Sequence, residues 1–433
     1  MIDPQAHLKR FFSEGIKGEY LFLIDEAHNL VERGRQMYSA EICKEDFLEV
    51  KRLVKGEYLK LAKRLDEGNK ALLAMKKECE NYQIQENISH LYLKILGIIG
   101  ELERCLEEEH NKEKRDIILE LYFSLKTFAD TYEKLDDNYV IYSEFREDGK
   151  FILKLFCVNP AARLQEYLNM GNSTIFFSAT LLPIQYYKML LSTEKDNYAI
   201  YAESTFDVSN RLLLNAMDVS TKYTLRSKEM YKKYAEYIRR AILKRKGNYM
   251  AFFPSYKFME EVYEAFEIIS NEQDGIECVM QSHSMNEEAR EIFLENFEEE
   301  RDGSLVGFCV LGGIFSEGID LAEERLIGTL IIGTGLPQVC NEREILKKYF
   351  DDMQLHGFDY AYRYPGMNKV LQAAGRVIRT EQDKGIILLL DERFKESKYR
   401  ESFPREWYDC EICKSTDFEE KIEQFWDKFG TAD

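Results

Sequence analysis

Apolar and polar positions divide the chain into a helical segment flanked by two stretches rich in short apolar runs. Such runs are typical of strands buried in parallel sheets. They are predicted at Tyr20–Ile24, Ser173–Phe177, Tyr249–Phe253, Leu305–Leu311, Leu326–Ile332 and Gly385–Leu390. Helical segments separate the later runs, and this alternation predicts an α/β fold with a parallel sheet covered by helices on both faces.

The segment from about residue 45 to 135 has a different, helical pattern and contains no proline. Apolar residues at i+3/i+4 spacing predict one amphipathic helix through Phe47, Val50, Val54, Tyr58, Leu61 and Leu65. Similar faces recur at Tyr92–Leu106 and Ile117–Phe128. This part is therefore predicted to form a helical hairpin or small bundle whose charges form a solvated face. Strand-like alternation returns at Tyr139–Val158.

Composition narrows the class of protein. A chain of 433 residues can form two or three domains with sizeable cores. Its net charge of −19 argues against a protein that coats nucleic acid with its whole surface. A local basic groove that binds nucleic acid is still compatible with this charge. The sequence shows neither a signal-peptide core nor an apolar run of membrane-spanning length, so we expect a cytoplasmic protein without a membrane partner.

The nine cysteines are scattered, which favours reduced thiols. The pair Cys410 and Cys413 has ligand-like spacing, but no second pair lies nearby. Ordinary thiols are therefore favoured there over a metal or redox site.

Two adjacent carboxylates, Asp25 and Glu26, follow the first predicted strand and begin the string Asp-Glu-Ala-His that ends at His28. Paired acids at the carboxyl end of a strand can hold Mg²⁺ and orient a water molecule for attack on a phosphate. The alternative is a helix N-cap pair, because a helical segment follows from Asn29.

The segment from Gln372 to Arg379 places Arg376 and Arg379 on one turn of a predicted helix, behind Gly375. Arginines so placed can neutralise charge on a phosphoryl group during transfer, and glycine permits a close backbone approach. A surface helix with two solvated arginines is the alternative, but it would leave Gly375 inside a helix at a cost of about 1 kcal/mol.

Three further segments follow predicted strands. Ser178-Ala179-Thr180 forms either a hydroxyl relay between a carboxylate site and a neighbouring domain or a capping turn. Ser255 and Tyr256 suit phosphate contact and base stacking, with a plain strand-to-helix turn as the alternative. The loop from Gly312 to Asp320 combines three glycines with polar groups that suit phosphate and polynucleotide contact: Ser316, Glu317 and Asp320.

In this order, the segments resemble five motifs of the XPD/DinG family of superfamily 2 helicases, which move 5′ to 3′ on single-stranded DNA. Ile24–Asn29 looks like motif II and Ser178–Leu181 like motif III. Phe252–Tyr256 looks like motif IV, Ser316–Asp320 like motif V and Gln372–Arg379 like motif VI.

The resemblance implies two RecA-like motor domains with a helical arch inserted into the first. Residues 1–44 and 146–205 would form a partial first motor domain, 45–145 the arch-like insertion and 206–433 the second motor domain. The implied ligands are ATP, Mg²⁺ and single-stranded DNA.

The resemblance also implies roles for individual residues. Asp25 would hold Mg²⁺, Glu26 would act on the attacking water, and His28 and Thr180 would couple hydrolysis to movement. Arg376 and Arg379 would be arginine fingers behind Gly375, and Gln372 would reach the γ-phosphate region. Glu317, Gly318 and Asp320 would lie at the seam between nucleotide and DNA, with Ser255, Tyr256 and Ser316 near the strand.

The sequence departs from the family in one respect that bears on activity. The family's Walker A string, G-x-x-x-x-G-K-[ST], does not occur in these residues, and only 24 residues precede Asp25. No cysteine lies in the interval that holds the iron–sulfur ligands of many members, so no cluster is expected in this chain. We therefore expect a helicase portion with little activity alone, and as alternatives a non-catalytic nucleic-acid-binding remnant or one half of a two-chain enzyme completed by a Walker A polypeptide.

Overall fold

The computed structural model describes residues 18–298, 301–315 and 325–430, which fall into two compact units. Unit 1 runs to Ser178 and includes Tyr187–Asn197, whereas unit 2 comprises Ala179–Tyr186 and the chain from Tyr198 onward. Nowhere in the described ranges is a helix long and apolar enough to cross a membrane.

Unit 1 contains two separate sheets and most of the helices of the first half. Its strands are β1 (Leu21–Ile24), β2 (Ala40–Cys43), β3 (Tyr82–Ile84), β4 (Tyr139–Phe145), β5 (Phe151–Cys157) and β6 (Ser173–Phe176). Its helices are α1 (Leu30–Tyr38), α2 (Lys44–Val54), α3 (Leu59–Glu78), α4 (Ser89–Glu108), α5 (Lys112–Tyr132), α6 (Ala161–Leu168) and the greater part of α7 (Ile184–Leu191).

The strands β1 and β6 pair in parallel and form a two-stranded sheet. One face of this sheet is apolar and exposed, since Leu21, Leu23, Ile175 and Phe177 are 43–63% accessible. The prediction of a parallel strand at Tyr20–Ile24 is confirmed, but the prediction that it is buried is wrong. Parallel strands are normally covered on both faces, and here one apolar face has no cover among the described residues.

The helical insertion packs around a core shared by α2, α3, α4 and α5. The single helix predicted through Phe47 and Leu65 is in fact two helices, because α2 closes with hydrogen bonds from the backbone N–H groups of Glu57 and Tyr58 to the carbonyl of Val54. The apolar spacing continues across this break, so periodicity alone could not reveal it.

A four-stranded antiparallel sheet, in the order β2-β5-β4-β3, accompanies these helices. The turn that joins β4 to β5 contains Gly149 at φ 79°, a conformation that favours glycine. The boundary placed between residues 145 and 146 therefore falls inside a hairpin, and β5 belongs to this sheet rather than to the parallel sheet of β1 and β6.

Unit 2 contains a seven-stranded sheet in the order β13-β7-β12-β11-β8-β10-β9, and all its neighbours pair in parallel. The strands are β7 (Arg211–Ala216), β8 (Asn248–Phe253), β9 (Ile276–Met280), β10 (Ser304–Val310), β11 (Gly328–Ile332), β12 (Gly385–Leu390) and β13 (Glu411–Cys413). The helices are α8 (Lys228–Ile242), α9 (Tyr256–Ile269), α10 (Glu287–Glu295), α11 (Asn341–Asp352), α12 (Tyr364–Ala374), α13 (Ser397–Arg400) and α14 (Phe418–Asp427).

An apolar cluster lies on each face of this sheet, as an α/β fold requires. The α/β prediction is therefore confirmed. The strands β7, β9 and β13 were not predicted, because β7 adjoins a loop-rich passage and the other two are short strands at the edges of the sheet, each of which contains a glutamate. Since all the strands run in parallel, the loops after β8, β9 and β10 leave from one edge of the sheet.

Candidate functional site

The Asp25–His28 segment leaves the carboxyl end of β1 through a strained turn. Glu26 has φ 47° and ψ 41°, a left-handed conformation that is unfavourable for a residue with a side chain. The backbone N–H of Glu26 donates to Oδ1 of Asp25 at 2.7 Å, and that of Ala27 donates to the carbonyl of Phe177 at 3.2 Å. These bonds fix the turn against the end of β6.

Ser178 joins Glu26 and His28 in a compact polar cluster. Its Oγ lies 2.7 Å from Nδ1 of His28 and donates to Oε2 of Glu26 at 3.3 Å. Nδ1 of His28 also lies 3.2 Å from the same carboxylate oxygen. A carboxylate only accepts, so a proton on Nδ1 of His28 satisfies both contacts of the imidazole.

The solvent exposure of these groups differs in a way that suits catalysis. The imidazole of His28 is buried, whereas the carboxylate of Glu26 is about two-thirds exposed. The buried imidazole and the partly buried hydroxyl of Ser178 can hold the exposed carboxylate in place while it accepts a proton from a water molecule.

The helix-capping alternative for Asp25 and Glu26 is not supported. Neither the 3₁₀ turn Ala27–Asn29 nor α1 is capped by a side-chain hydrogen bond. A strained backbone whose carboxylates cap nothing indicates a functional reason for the conformation.

The two arginines of the Gln372–Arg379 segment do not lie in a helix. The helix α12 ends at Ala374, Gly375 is its C-cap at φ −66°, and Arg376 and Arg379 lie in the following turn and loop. The predicted placement of both arginines on one helical turn is therefore wrong. Since the φ of Gly375 is open to any residue, its backbone conformation does not require glycine.

A carboxylate that the sequence reasoning missed shapes the loop of Arg379. Oδ2 of the buried Asp383 accepts from the backbone N–H groups of Arg379 at 2.6 Å and Thr380 at 2.7 Å. Its Oδ1 accepts from Oγ1 of Thr380 at 2.8 Å. The spacing of Thr380 and Asp383 is the one sequence signal that could have indicated this turn.

Two of the predicted nucleic-acid residues, Ser255 and Tyr256, lie where β8 runs into α9. Ser255 is the N-cap of α9, because its Oγ accepts from the backbone N–H of Phe258 at 3.3 Å. The hydroxyl of Tyr256 accepts from Nε2 of Gln281 at 2.9 Å, and the ring of His283 stacks on the ring of Tyr256. Neither Gln281 nor His283 was predicted, since β9 itself was missed.

The other predicted residues are placed as follows. Thr180 is buried in unit 2, and Gln372 lies in the last turn of α12. Ser316, Glu317, Gly318 and Asp320 lie outside the described residues. Glu26 and His28 thus lie together in unit 1, while the arginines and the Tyr256 group lie in unit 2.

Burial determines the pKa of the thiols of Cys410 and Cys413. Burial raises the pKa of Cys410 to about 11 and that of Cys413 to about 12, so both stay protonated at neutral pH. Among the described residues, no group of three or more His, Cys, Asp or Glu side chains could hold a metal ion.

Comparison with known proteins finds similarity to helicases. Residues 238–410 match the family described as Helicase C-terminal domain. The chain is 24% identical over 400 residues to the ATP-dependent DNA helicase XPD of Sulfolobus acidocaldarius, across 87% of this chain. These matches support the resemblance of the chain to the XPD/DinG family of superfamily 2 helicases.

A second DNA helicase matches over a shorter stretch. The identity is 26% over 302 residues with the ATP-dependent DNA helicase chl-1 of Caenorhabditis elegans, which covers 64% of this chain. The chain spans 65% of the length of the Sulfolobus XPD protein and 35% of that of chl-1.

Solved XPD structures share the fold. The structure of S. tokodaii Xpd4 has a TM-score of 0.61 at 15% identity and covers 94% of this chain and 79% of its own. A structure titled XPD_APO has a TM-score of 0.58 at 21% identity with the same two coverages.

Proposed function

We propose that this chain is part of an ATP-dependent DNA helicase and contains the residues that cleave ATP and couple the cleavage to movement. We also propose that the helicase moves 5′ to 3′ on single-stranded DNA. The observation that carries the proposal is the cluster of Glu26, His28 and Ser178, in which an exposed carboxylate is held by two polar partners. The matched relatives are named ATP-dependent DNA helicases, which supports both ligands.

In this mechanism Asp25 contributes a carboxylate to a Mg²⁺ ion that the phosphates of ATP help to hold. The fit is good, because Mg²⁺ in nucleotide sites takes one or two carboxylates plus phosphate oxygens and water. The ion would neutralise charge on the transferring phosphoryl group. Glu26 would accept the proton of the attacking water, while Ser178 and His28 fix its carboxylate.

The arginines of unit 2 would stabilise the charge that develops on the γ-phosphoryl group. Arg376 is buried, and the loop that carries Arg379 is set by Asp383. Gln372, in the last turn of α12, would reach the same phosphate. Thr180 would couple the hydrolysis of ATP to movement. The loop around Glu317, Gly318 and Asp320 would connect nucleotide and DNA.

We further propose that these 433 residues alone hydrolyse ATP slowly and that a phosphate-binding loop outside them, on the same or on another polypeptide, completes the site. No G-x-x-x-x-G-K-[ST] string occurs in its sequence, and most contacts to the β-phosphate in such enzymes come from that loop. The exposed apolar face of β1 and β6 supports this idea, since a parallel sheet of two strands is stable only when further elements cover it.

The test is DNA-stimulated ATP hydrolysis by the purified chain, with and without a polypeptide that carries the phosphate loop. We expect a low rate for the chain alone, a large increase on addition of the polypeptide, and loss of that increase in Glu26→Gln and Arg376→Ala. Fast turnover by these residues alone that Glu26→Gln abolishes would contradict the need for an added phosphate-binding loop.

A second candidate function is non-catalytic binding of nucleic acid. It is favoured by the difference between the two units. Unit 2, with the predicted nucleic-acid residues, has a seven-stranded sheet, whereas the parallel sheet beside Asp25 and Glu26 in unit 1 has only two strands among the described residues. The same experiment separates the two functions, because a non-catalytic protein binds single-stranded DNA but does not hydrolyse ATP with any added phosphate-loop polypeptide.

A further inference from the structure

At the edge of the unit 2 sheet the predicted residue Tyr256 stacks on His283, a residue that no sequence motif indicates. The rings of Tyr256 and His283 have centroids 3.9 Å apart and an interplanar angle of 26°. His283 follows β9 and Tyr256 begins α9 after β8, and both strands border β10. The pair therefore lies at the carboxyl edge of the sheet, where α/β proteins bind ligands.

The inner ring is fixed by hydrogen bonds. The hydroxyl of Tyr256 accepts from Nε2 of Gln281 at 2.9 Å and donates to the carbonyl of Ser282 at 3.3 Å. Gln281 is 3% exposed, and its Oε1 accepts from the backbone N–H of Val310 at 3.0 Å. The orientation of Tyr256 is thus set by the sheet itself, and a preorganised ring loses little entropy when it binds a ligand.

The outer ring is open to solvent. The side chain of His283 is 70% exposed although one face of its ring is covered by Tyr256. Its Nε2 lies 3.5 Å from Oε1 of Glu260. A flat ring with one face packed on Tyr256 and the other face exposed to solvent provides a stacking surface for another planar group.

The surroundings suit a polynucleotide. The loop after β10 approaches closely, because a Cβ atom on Gly313 would lie 2.9 Å from Nε2 of Gln281 and one on Gly312 would lie 2.7 Å from Cε of Lys369. The side chain of Lys369 therefore lies beside the loop that approaches Gln281, and Ser282 lies between Gln281 and His283 in the chain. Lysine and serine side chains contact phosphates and sugars in nucleic-acid complexes.

We propose that His283 is the outer ring of a two-ring platform on which one nucleobase of a single strand stacks. The inference rests on the proposed function and adds to it a binding residue. Because every base has a π-face, the platform accepts any base, and its contribution depends on the presence of a base rather than on the sequence.

The test measures the affinity of the full chain for a labelled oligothymidylate and for an abasic strand of equal length, by fluorescence anisotropy. We expect His283→Ala to weaken binding of the oligothymidylate about five- to fifty-fold and to leave binding of the abasic strand unchanged. His283→Phe keeps a flat ring and should retain the affinity. His110→Ala, which removes an exposed histidine of unit 1, is the matched control.

The possible outcomes separate the inference from the function. If the unaltered chain binds neither strand, nucleic-acid binding itself fails and the inference fails with it. If the chain prefers the strand with bases but His283→Ala binds both strands as before, the function stands and the platform is wrong. A 2-aminopurine base whose fluorescence is quenched by the unaltered chain and not by His283→Ala would confirm stacking at this ring.

Discussion

The hydroxyl oxygen of Ser178 lies 2.7 Å from Nδ1 of His28, although 150 residues separate the two along the chain. The contact joins the end of β6 to the turn after β1, and the same hydroxyl reaches the carboxylate of Glu26. Ser178 is also the last residue of unit 1 before the chain enters unit 2 at Ala179. A shift of this residue would therefore alter the hydrogen bonds of the carboxylate that we assign to the attacking water.

The first prediction concerns this serine. Ser178→Ala removes a hydrogen bond to a charged group, which is worth about 1.5–3 kcal/mol, so we expect kcat to fall about 10- to 100-fold. The measurement is ATP hydrolysis in the presence of the phosphate-loop polypeptide. Ser173→Ala, at an exposed position on the same strand, should leave kcat unchanged. An unchanged kcat in Ser178→Ala would show that Glu26 does not depend on this contact.

The second prediction concerns the strained backbone of Glu26. Glycine adopts φ 47° without strain, so Glu26→Gly should be more stable than Glu26→Ala by about 1 kcal/mol while both lack activity. In a unit of this size that difference raises the melting temperature by about 2–4 °C, which calorimetry resolves. Equal melting temperatures of the two variants would mean that the left-handed conformation is not kept without the carboxylate.

The third prediction concerns Asp383, which orients the loop of Arg379. Asp383→Ala leaves two backbone N–H groups without their acceptor, so we expect a loss of about 1–3 kcal/mol in the stability of unit 2. We also expect a rate loss similar in size to that of Arg379→Ala. Thr380→Val removes the one hydroxyl bond and keeps both N–H contacts, so it should have a smaller effect. If Thr380→Val proves as harmful as Asp383→Ala, the N–H contacts are not what positions the loop.

How far the sequence predicted these features depends on whether they are local. The apolar runs predicted β8, β10, β11 and β12 correctly, because a buried strand can be recognised from its own apolar residues without knowledge of its neighbours in the sheet. The end of α12 at Ala374 was missed because the turn after it depends on Asp383, a contact that apolar periodicity does not report. His283 was missed for a related reason, since its role depends on the ring of Tyr256, which a separate strand brings beside it.

The fourth prediction concerns pH. Burial alone would raise the pKa of Asp218, but hydrogen bonds from Lys233, Tyr237 and Ser415 outweigh it and lower the pKa from 3.8 to about 2. A carboxyl group whose pKa is lower in the folded state stabilises the fold fully above its unfolded pKa. That stabilisation is lost as the pH falls from about 4 through 2.

Asp218→Asn should therefore lower the free energy of unfolding of unit 2 by about 1–2 kcal/mol at pH 7, and the difference from the unaltered chain should shrink as the pH falls from 4 towards 2. Both tryptophans, Trp407 and Trp426, lie in unit 2, so urea unfolding followed by tryptophan fluorescence reports on this unit alone. Asp352→Asn, at an exposed position at the end of α11, is the control that should show no difference at either pH. A difference between Asp218→Asn and the unaltered chain that stays constant from pH 7 to 2 would show that the charge of Asp218 is not what stabilises the end of β7.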